Sequence, residues 1–381
     1  MKPAPTLSTA FLHPAGQSLP EPLLALRKQR GTALVDMPLP TRKTENWKYS
    51  SKYLKLTDDM AISLPADGKT GSGLAVPDWP TTFGENMFTF APSKWVGGIF
   101  YEHGHRLIAA TVGFLTIGLA LWLWLCESRS WLRGLGGIAL LAVIFQGILG
   151  GMTVRFQLPT EISVFHACLA QTFFCIVVSI AVFTSPGWKR RPEAIKISRG
   201  FVHKMCVLMM LVVFIQLLLG ALMRHTESGL AVPDFPLAYG KVLPDLSPIA
   251  VEGYNQERAF AYFLPPVTVR QIVFHLLHRL GAVLVTLTLL ITTIAIFRKH
   301  GKMQPLRRPA ILALIFLFLQ IGLGAWTVWS GRTPWIATVH VAVGAATLAT
   351  CWVLTLRVYG YLQVVKRESV TTSMAIAGAT A

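Results

Sequence analysis

The chain has 381 residues, of which 53% are hydrophobic and 14% are charged, and its mean hydropathy is +0.52. A soluble domain usually carries about 25% charged residues, so this composition excludes an ordinary soluble protein and indicates an integral membrane protein. The net charge of +17 does not indicate nucleic-acid binding. Most of the excess lies in loops between apolar runs, where the positive-inside rule accounts for it.

Residues 1–70 are polar, rich in Pro and charged residues, and contain no signal-peptide apolar region. Within them, the stretch PTRKTENWKY at Pro40–Tyr49 resembles the N-terminal region of the Suf-type iron–sulfur assembly scaffold proteins. That resemblance covers about residues 20–56, and the alternative interpretation is a disordered, basic leader. We predict a non-membrane segment, unrelated to the rest and joined to it by a fusion, misassembly or rearrangement near residue 70.

Seven apolar runs follow, each long enough to cross a bilayer as a helix. They cover residues 103–125, 133–155, 162–184, 201–224, 271–297, 309–330 and 334–358. The third and the seventh begin near Pro159 and Pro334, as helices often do. The sequence therefore predicts an all-α polytopic membrane helix bundle with seven spans.

The loops between the spans alternate in charge. Lys and Arg are concentrated in the segments 126–133, 185–204 and 298–308 and in the C-terminal tail. The other set is not basic and comprises the segments 71–102, 156–161 and 225–270. The positive-inside rule places the basic set, including the C-terminus, in the cytoplasm and the other set outside.

The membrane part contains an internal repeat. SGLAVPDWP at Ser72–Pro80 returns as SGLAVPDFP at Ser228–Pro236. Three further features return in the same order, 173 or 174 residues later: His105-Arg106 as His278-Arg279, Gln146 as Gln320, and His166 as His340. Nearly equal offsets indicate a duplication with both copies in the same orientation.

The duplication predicts two helical repeats, residues 71–187 and 188–365, with a leader at 1–70 and a tail at 366–381. In the second repeat, a span ending at Arg224 leads into the Ser228 loop. No such span precedes Ser72. We therefore expect two tandem four-helix repeats with the first helix missing.

Four histidines lie within about two turns of the outer ends of their spans. They are His105, His166, His278 and His340, separated by 61 residues in the first half and 62 in the second. Neutral imidazole is a favoured ligand of heme iron, and two facing imidazoles give a six-coordinate heme. The alternative for any single one is an interfacial histidine bonded to a backbone carbonyl, but four at one depth favour ligation.

Glu102 lies three residues before His105, so both side chains occupy one helix face. His275 holds the corresponding place in the second half. A carboxyl near a metal can act as a general base or stabilise a developing cation. Its alternative role is a favourable charge at a helix N-terminus. The catalytic interpretation makes the first half the reactive site and the second half an electron-transfer site.

Arginines accompany the histidines in both halves. Arg106 and Arg279 directly follow His105 and His278, while Arg155 and Arg224 close spans at the outer face. They could bind heme propionates through bidentate hydrogen bonds. They could equally extend to the membrane interface, and the sequence leaves both open.

Gln-x-x-x-Gly occurs at Gln146, Gln216 and Gln320. We interpret it as packing, with Gln for interhelical hydrogen bonds and Gly for close approach, and without a chemical role. The remaining span-end histidines are predicted to be boundary or solvated residues. They are His103, His203 and His225.

Together these residues resemble the heme A synthase family of membrane proteins, from about Gly71 to Tyr361. The resemblance implies an eight-helix fold of two four-helix halves in the bacterial inner membrane. It also implies oxidation of the C8 methyl group of heme O to a formyl group, which gives heme A for terminal oxidases.

The resemblance further implies a role for each residue. His105 and His166 bind the substrate heme O, His278 and His340 hold a resident heme b, and Glu102 matches the catalytic carboxylate. Implied partners are an electron donor, a heme O-supplying enzyme and cytochrome oxidase assembly factors, and a homo-oligomer stays open. The outer loops contain no Cys, so no disulfide relay applies.

Two other functions compete with this one. A diheme b-type electron-transfer protein often stacks hemes at two depths with paired histidines on one helix, whereas these histidines share one depth on four spans. A repeat transporter predicts charged or broken helix centres near the midplane. The span centres hold Gln and Gly but no ionised residues, so the transporter ranks third.

Overall fold

Seven long helices form the computed structural model, which describes residues 74–191, 195–197, 200–262 and 264–364. They are α1 (Gly98–Cys126), α2 (Ser130–Arg155), α3 (Thr160–Thr184), α4 (Phe201–His225), α5 (Val269–His300), α6 (Gln304–Trp329) and α7 (Pro334–Tyr361). Each is long and apolar enough to cross a membrane. The predicted all-α bundle with seven spans is confirmed, and the chain is a multi-pass membrane protein.

The predictions for the leader at 1–70, including its Suf-like stretch, and for the tail at 366–381 lie outside the described residues. The described residues fall into two compact units. One holds Ala91–Phe100, with a 3-10 turn at Pro92–Lys94, and the other holds the rest.

Local chemistry accounts for the starts of α3, α5 and α7. As predicted, α3 begins directly after Pro159, and α7 begins at Pro334. A capping box begins α5, in which the side chains of Thr268 and Gln271 each accept from the other's backbone N–H.

The start of α6 differs from the prediction. The helix begins at Gln304, five residues before the predicted start at Pro309. Proline lacks the N–H that would bond the carbonyl four residues earlier. Here the Arg357 guanidinium donates to that carbonyl, on Pro305, at 3.0 Å. A side chain from α7 thus replaces the missing backbone bond, so the helix includes the proline.

Short elements lie between the spans. Strands β1 (Ile195–Ile197) and β2 (Leu362–Val364) pair in parallel and join the segment before α4 to the end of α7. A helix at Pro248–Glu257 lies in the loop between α4 and α5. His203 is buried, and its Nε2 lies 2.9 Å from the carbonyl oxygen of Leu362. The prediction of a solvated His203 is therefore wrong.

The largest core lies among α4, α5, α6 and α7, where each helix packs against the next and α7 packs back against α4. Met209, Leu289, Leu317 and Leu354 are among its fully or nearly fully buried side chains. The first repeat joins this core through α3, which packs against α2, α4 and α7.

Few residues of α1 are buried. They are His103, Arg106, Thr116 and Leu123. Leu123 contacts α2 at Gly136, where an added Cβ would lie 2.9 Å from Leu123 Cδ1. In the second repeat, α4 packs closely along α5. Within the described residues no helix holds the corresponding place beside α1.

Candidate functional site

The repeated loops share their backbone geometry as well as their sequence. In the first, the Asp78 carboxylate accepts hydrogen bonds from the backbone N–H groups of Phe83 and Gly84, both at 2.8 Å. In the second, Asp234 accepts the corresponding bonds from Tyr239 at 2.8 Å and Gly240 at 2.9 Å. The four donors have positive φ, and each loop contains one cis X-Pro bond, Trp79-Pro80 or Phe235-Pro236.

Arg106 fastens the first loop to α1. Its guanidinium donates to the backbone carbonyls of Val76 at 2.9 Å, Asp78 at 2.7 Å and Thr81 at 2.8 Å. A planar guanidinium can serve several acceptors at fixed angles. The side chain that holds the loop backbone therefore belongs to the residue that directly follows His105.

Arg279 makes the same three contacts in the second half. It donates to the carbonyls of Val232 at 3.3 Å, Asp234 at 2.6 Å and Leu237 at 2.7 Å. Arg106 and Arg279 are therefore loop anchors. By contrast, Arg155 is the last residue of α2 and Arg224 the second-last of α4, and both are exposed.

Glu102 and His275 also contact the loops. Glu102 Oε1 lies 3.1 Å from an Arg106 nitrogen, and Oε2 accepts from the Val76 N–H at 3.0 Å. The Glu102 side chain is 19% exposed. His275 is buried, and its Nδ1 lies 3.0 Å from the carbonyl oxygen of Ser228. The Glu102 carboxylate thus pairs with the Arg106 guanidinium and accepts from a backbone N–H, whereas His275 contacts an uncharged backbone carbonyl.

The two histidines of each half lie on two different helices. His278 is on α5 and His340 on α7, while His105 is on α1 and His166 on α3. His105 is exposed, and the other three are partly buried. In the described part of the chain, no group of three or more His, Cys, Asp or Glu side chains could hold a bare metal ion.

Three glutamines contact the histidines, which the sequence interpretation missed. In each case the amide Nε2 lies 3.2–3.3 Å from an imidazole nitrogen, and the pairs are Gln146–His166, Gln216–His278 and Gln320–His340. The repeated Gln-x-x-x-Gly spacing was the available signal. Its interpretation as packing was incomplete, because each amide also touches a candidate ligand.

Two other histidines belong to these surroundings. His103 is fully buried, with its Nδ1 3.0 Å from Thr82 Oγ1 and its ring centroid 5.0 Å from that of Phe90. It contacts the first loop near the start of α1, and its place at the membrane boundary stays a prediction. His225, at the end of α4, is partly buried, and its backbone carbonyl accepts from Thr160 Oγ1 at 3.4 Å. The solvated role of His225 stays a prediction.

Comparison with known proteins agrees with this arrangement. Residues 68–352 match the COX15-CtaA family, described as cytochrome oxidase assembly protein. The heme A synthase of Halalkalibacterium halodurans is 26% identical over 300 residues, which are 77% of this chain and 90% of that protein. The heme A synthase of Shouchella clausii is 28% identical over 261 residues, which are 67% of this chain and 77% of that protein.

The family match includes both loops, all four paired histidines and the three Gln-x-x-x-Gly segments. It begins just before the first loop and ends within the last span. The chain therefore belongs to the cytochrome oxidase assembly proteins, and within them to the heme A synthase family.

Proposed function

We propose that this chain is a heme A synthase, an oxidoreductase that converts the C8 methyl group of heme O to a formyl group. The observation that carries the proposal is the repeated pair of histidines, on α1 and α3 in one half and on α5 and α7 in the other, in a chain of the heme A synthase family. Written with dioxygen as the oxidant, the conversion balances as R–CH3 + O2 → R–CHO + H2O.

In the first half, His105 and His166 bind the iron of the substrate heme O. Glu102 lies on the helix face of His105 and supports oxidation of the methyl group as a base or as a negative charge near a developing cation. Of the four candidate arginines, Arg155 and Arg224 are exposed and are left to bind the propionates. Arg106 and Arg279 are engaged by loop carbonyls.

In the second half, His278 and His340 are the residues that would hold a resident heme b through its iron. The residues fit this group, because His340 Nδ1 is buried without a hydrogen-bond partner and imidazole nitrogen is a favoured ligand of heme iron. Two imidazoles suffice for a metal that a porphyrin already holds. When bound, heme b supplies electron transfer.

One observation favours the alternative, a diheme b-type electron-transfer protein without substrate chemistry. The Glu102 carboxylate is engaged by Arg106 and by the Val76 N–H. A carboxylate used in this way anchors a loop, and loop anchoring alone would explain its presence.

The heme assignment is tested with His278→Ala and His340→Ala. We expect the purified protein to carry b-type heme and each variant to lose it, because one imidazole cannot complete the axial pair. His300→Ala, at the far end of α5, is the matched control and should keep the heme. Full heme in both ligand variants would disprove the assignment.

The catalytic assignment is tested with Glu102→Gln in cells supplied with heme O. The amide oxygen can still accept from Val76, so the loop contact is kept while the charge is lost. We expect resident heme to stay and heme A production to fall by about 10²-fold or more, the typical scale of acid–base catalysis. Normal heme A in this variant would favour the electron-transfer alternative.

A further inference from the structure

We propose that each Gln-x-x-x-Gly segment forms a cradle that sets the position and tilt of one histidine ring. The positioning residues are Gln146 for His166, Gln216 for His278 and Gln320 for His340. The proposal deepens the heme A synthase assignment, on which the identity of the bound group rests. The cradle itself is defined by protein contacts alone.

The first element of the cradle is the amide. Gln216 Nε2 lies 3.2 Å from Nδ1 and 3.3 Å from Nε2 of His278, so it faces the ring rather than one nitrogen only. The same amide donates to the backbone carbonyl of His278 at 2.9 Å. Gln146 makes the corresponding bond to the His166 carbonyl at 3.0 Å. In these two cases one amide holds both the backbone and the ring of the histidine.

The second element is the glycine one turn later. A Cβ added at Gly220 would lie 3.2 Å from Cε1 of His278. A Cβ at Gly150 or Gly324 would lie 3.3 Å from Cε1 of His166 or His340, respectively. The same ring atom approaches the backbone at nearly the same distance three times. The glycines therefore leave the space that the ring edge occupies.

The third element lies on the histidine's own helix in the second half. A Cβ at Gly281, three residues after His278, would clash with Gln216 Oε1. A Cβ at Gly344, four residues after His340, would lie 3.2 Å from Gln320 Nε2. In each of these helix pairs, α4 with α5 and α6 with α7, a glycine on one helix leaves room for the polar side chain of the other.

The sequence contains three such segments for four paired histidines. In the described part of the chain, no hydrogen bond joins a glutamine to His105, and His105 is exposed. Both rings of the second-half pair are cradled, whereas one ring of the first-half pair is. Gln216 lies on α4, and no described helix holds the corresponding place beside α1, so the difference at His105 follows from that helix and carries no distinction of role.

The test compares Gln216→Met and Gln320→Met, which keep side-chain length and remove the amide. Deuterium exchange at each histidine Cε1–H is followed by mass spectrometry on the protein as purified. We expect Gln216→Met to raise exchange at His278, and Gln320→Met at His340, by about threefold or more through local loosening. Each variant should leave the other's histidine unchanged. Gln171→Met, a membrane-embedded glutamine outside the Gln-x-x-x-Gly segments, is the control.

A second measurement reports ring tilt when heme is bound. The low-spin ferric electron paramagnetic resonance signal of a bis-imidazole heme depends on the angle between the ring planes. We expect this signal to shift in both variants and also in Gly324→Ala, which keeps Gln320 and crowds Cε1 of His340. An unchanged signal together with unchanged exchange would overturn the cradle. Wild-type protein without heme would instead overturn the proposed function, and the exchange measurement would still decide the cradle.

Discussion

Single side chains hold each loop against a histidine-bearing helix. Arg106 and Arg279 bond the same three carbonyls of their loops, and Asp78 and Asp234 close the same turn. Burial raises the pKa of Asp78, but hydrogen bonds from the Gly84 N–H, the Thr81 hydroxyl and the Phe83 N–H outweigh it and lower the pKa to about 2. The carboxylate is therefore charged at any physiological pH.

This turn gives a prediction for Asp78→Asn. A charge-assisted hydrogen bond is worth about 1.5–3 kcal/mol, so its loss should speed amide exchange at Phe83 and Gly84 by about tenfold at pH 7. Amide hydrogen exchange with mass spectrometry measures this. Asp234→Asn should change Tyr239 and Gly240 instead, and equal protection in wild type and variant would contradict the prediction.

The same carboxylate predicts a pH dependence. Its folded pKa of about 2 lies below the ordinary 3.8. Its stabilising contribution is therefore complete above about pH 4 and is lost as the pH falls through about 2. In wild type, the extra protection of Phe83 and Gly84 relative to Asp78→Asn should disappear over that range. A difference that persists below pH 2 would contradict this.

At the scale of elements, the first loop rests on α2. A Cβ at Gly151 would lie 2.6–2.7 Å from three atoms of the Trp79 ring, so the indole occupies the space that only glycine leaves. The loop is thereby held by α1 through Arg106 and by α2 through this contact. Loop and helices depend on each other for position.

This packing predicts the effect of Gly151→Ala. The added methyl group must displace the indole, and overpacking of this kind typically costs about 1–3 kcal/mol. The thermal unfolding midpoint in detergent should fall. Gly147→Ala, one turn earlier in α2, has nothing within 4 Å of the added Cβ and should be neutral or stabilising. Equal midpoints for the two variants would contradict the contact.

At the scale of the whole molecule, the positive-inside rule predicts the orientation in the membrane, with the basic loops and the C-terminus in the cytoplasm. Cys126 is exposed at the basic end of α1, and Leu243 is 80% exposed in the loop between α4 and α5. A membrane-impermeant maleimide should label Leu243→Cys in intact cells and Cys126 only after lysis. The reverse pattern would invert the topology and place the histidine layer near the inner face.

The sequence by itself determined the seven spans, the two loops and the four paired histidines. These follow from local hydropathy, proline positions and the internal repeat, all of which can be read from the order of residues along the chain. The domain boundaries and the roles of Glu102 and the histidines stay predictions.

Only the tertiary structure decided what the other polar residues contact. It assigned Arg106 and Arg279 to the loop carbonyls, the glutamines to the imidazoles, and His203 to the carbonyl of Leu362. These partners come from different helices or from loops many residues away. A polar residue in an apolar run shows that it needs a partner, because an unpaired buried polar group is costly. Which partner it meets depends on how the helices pack, and packing is set by side-chain shapes across the whole bundle.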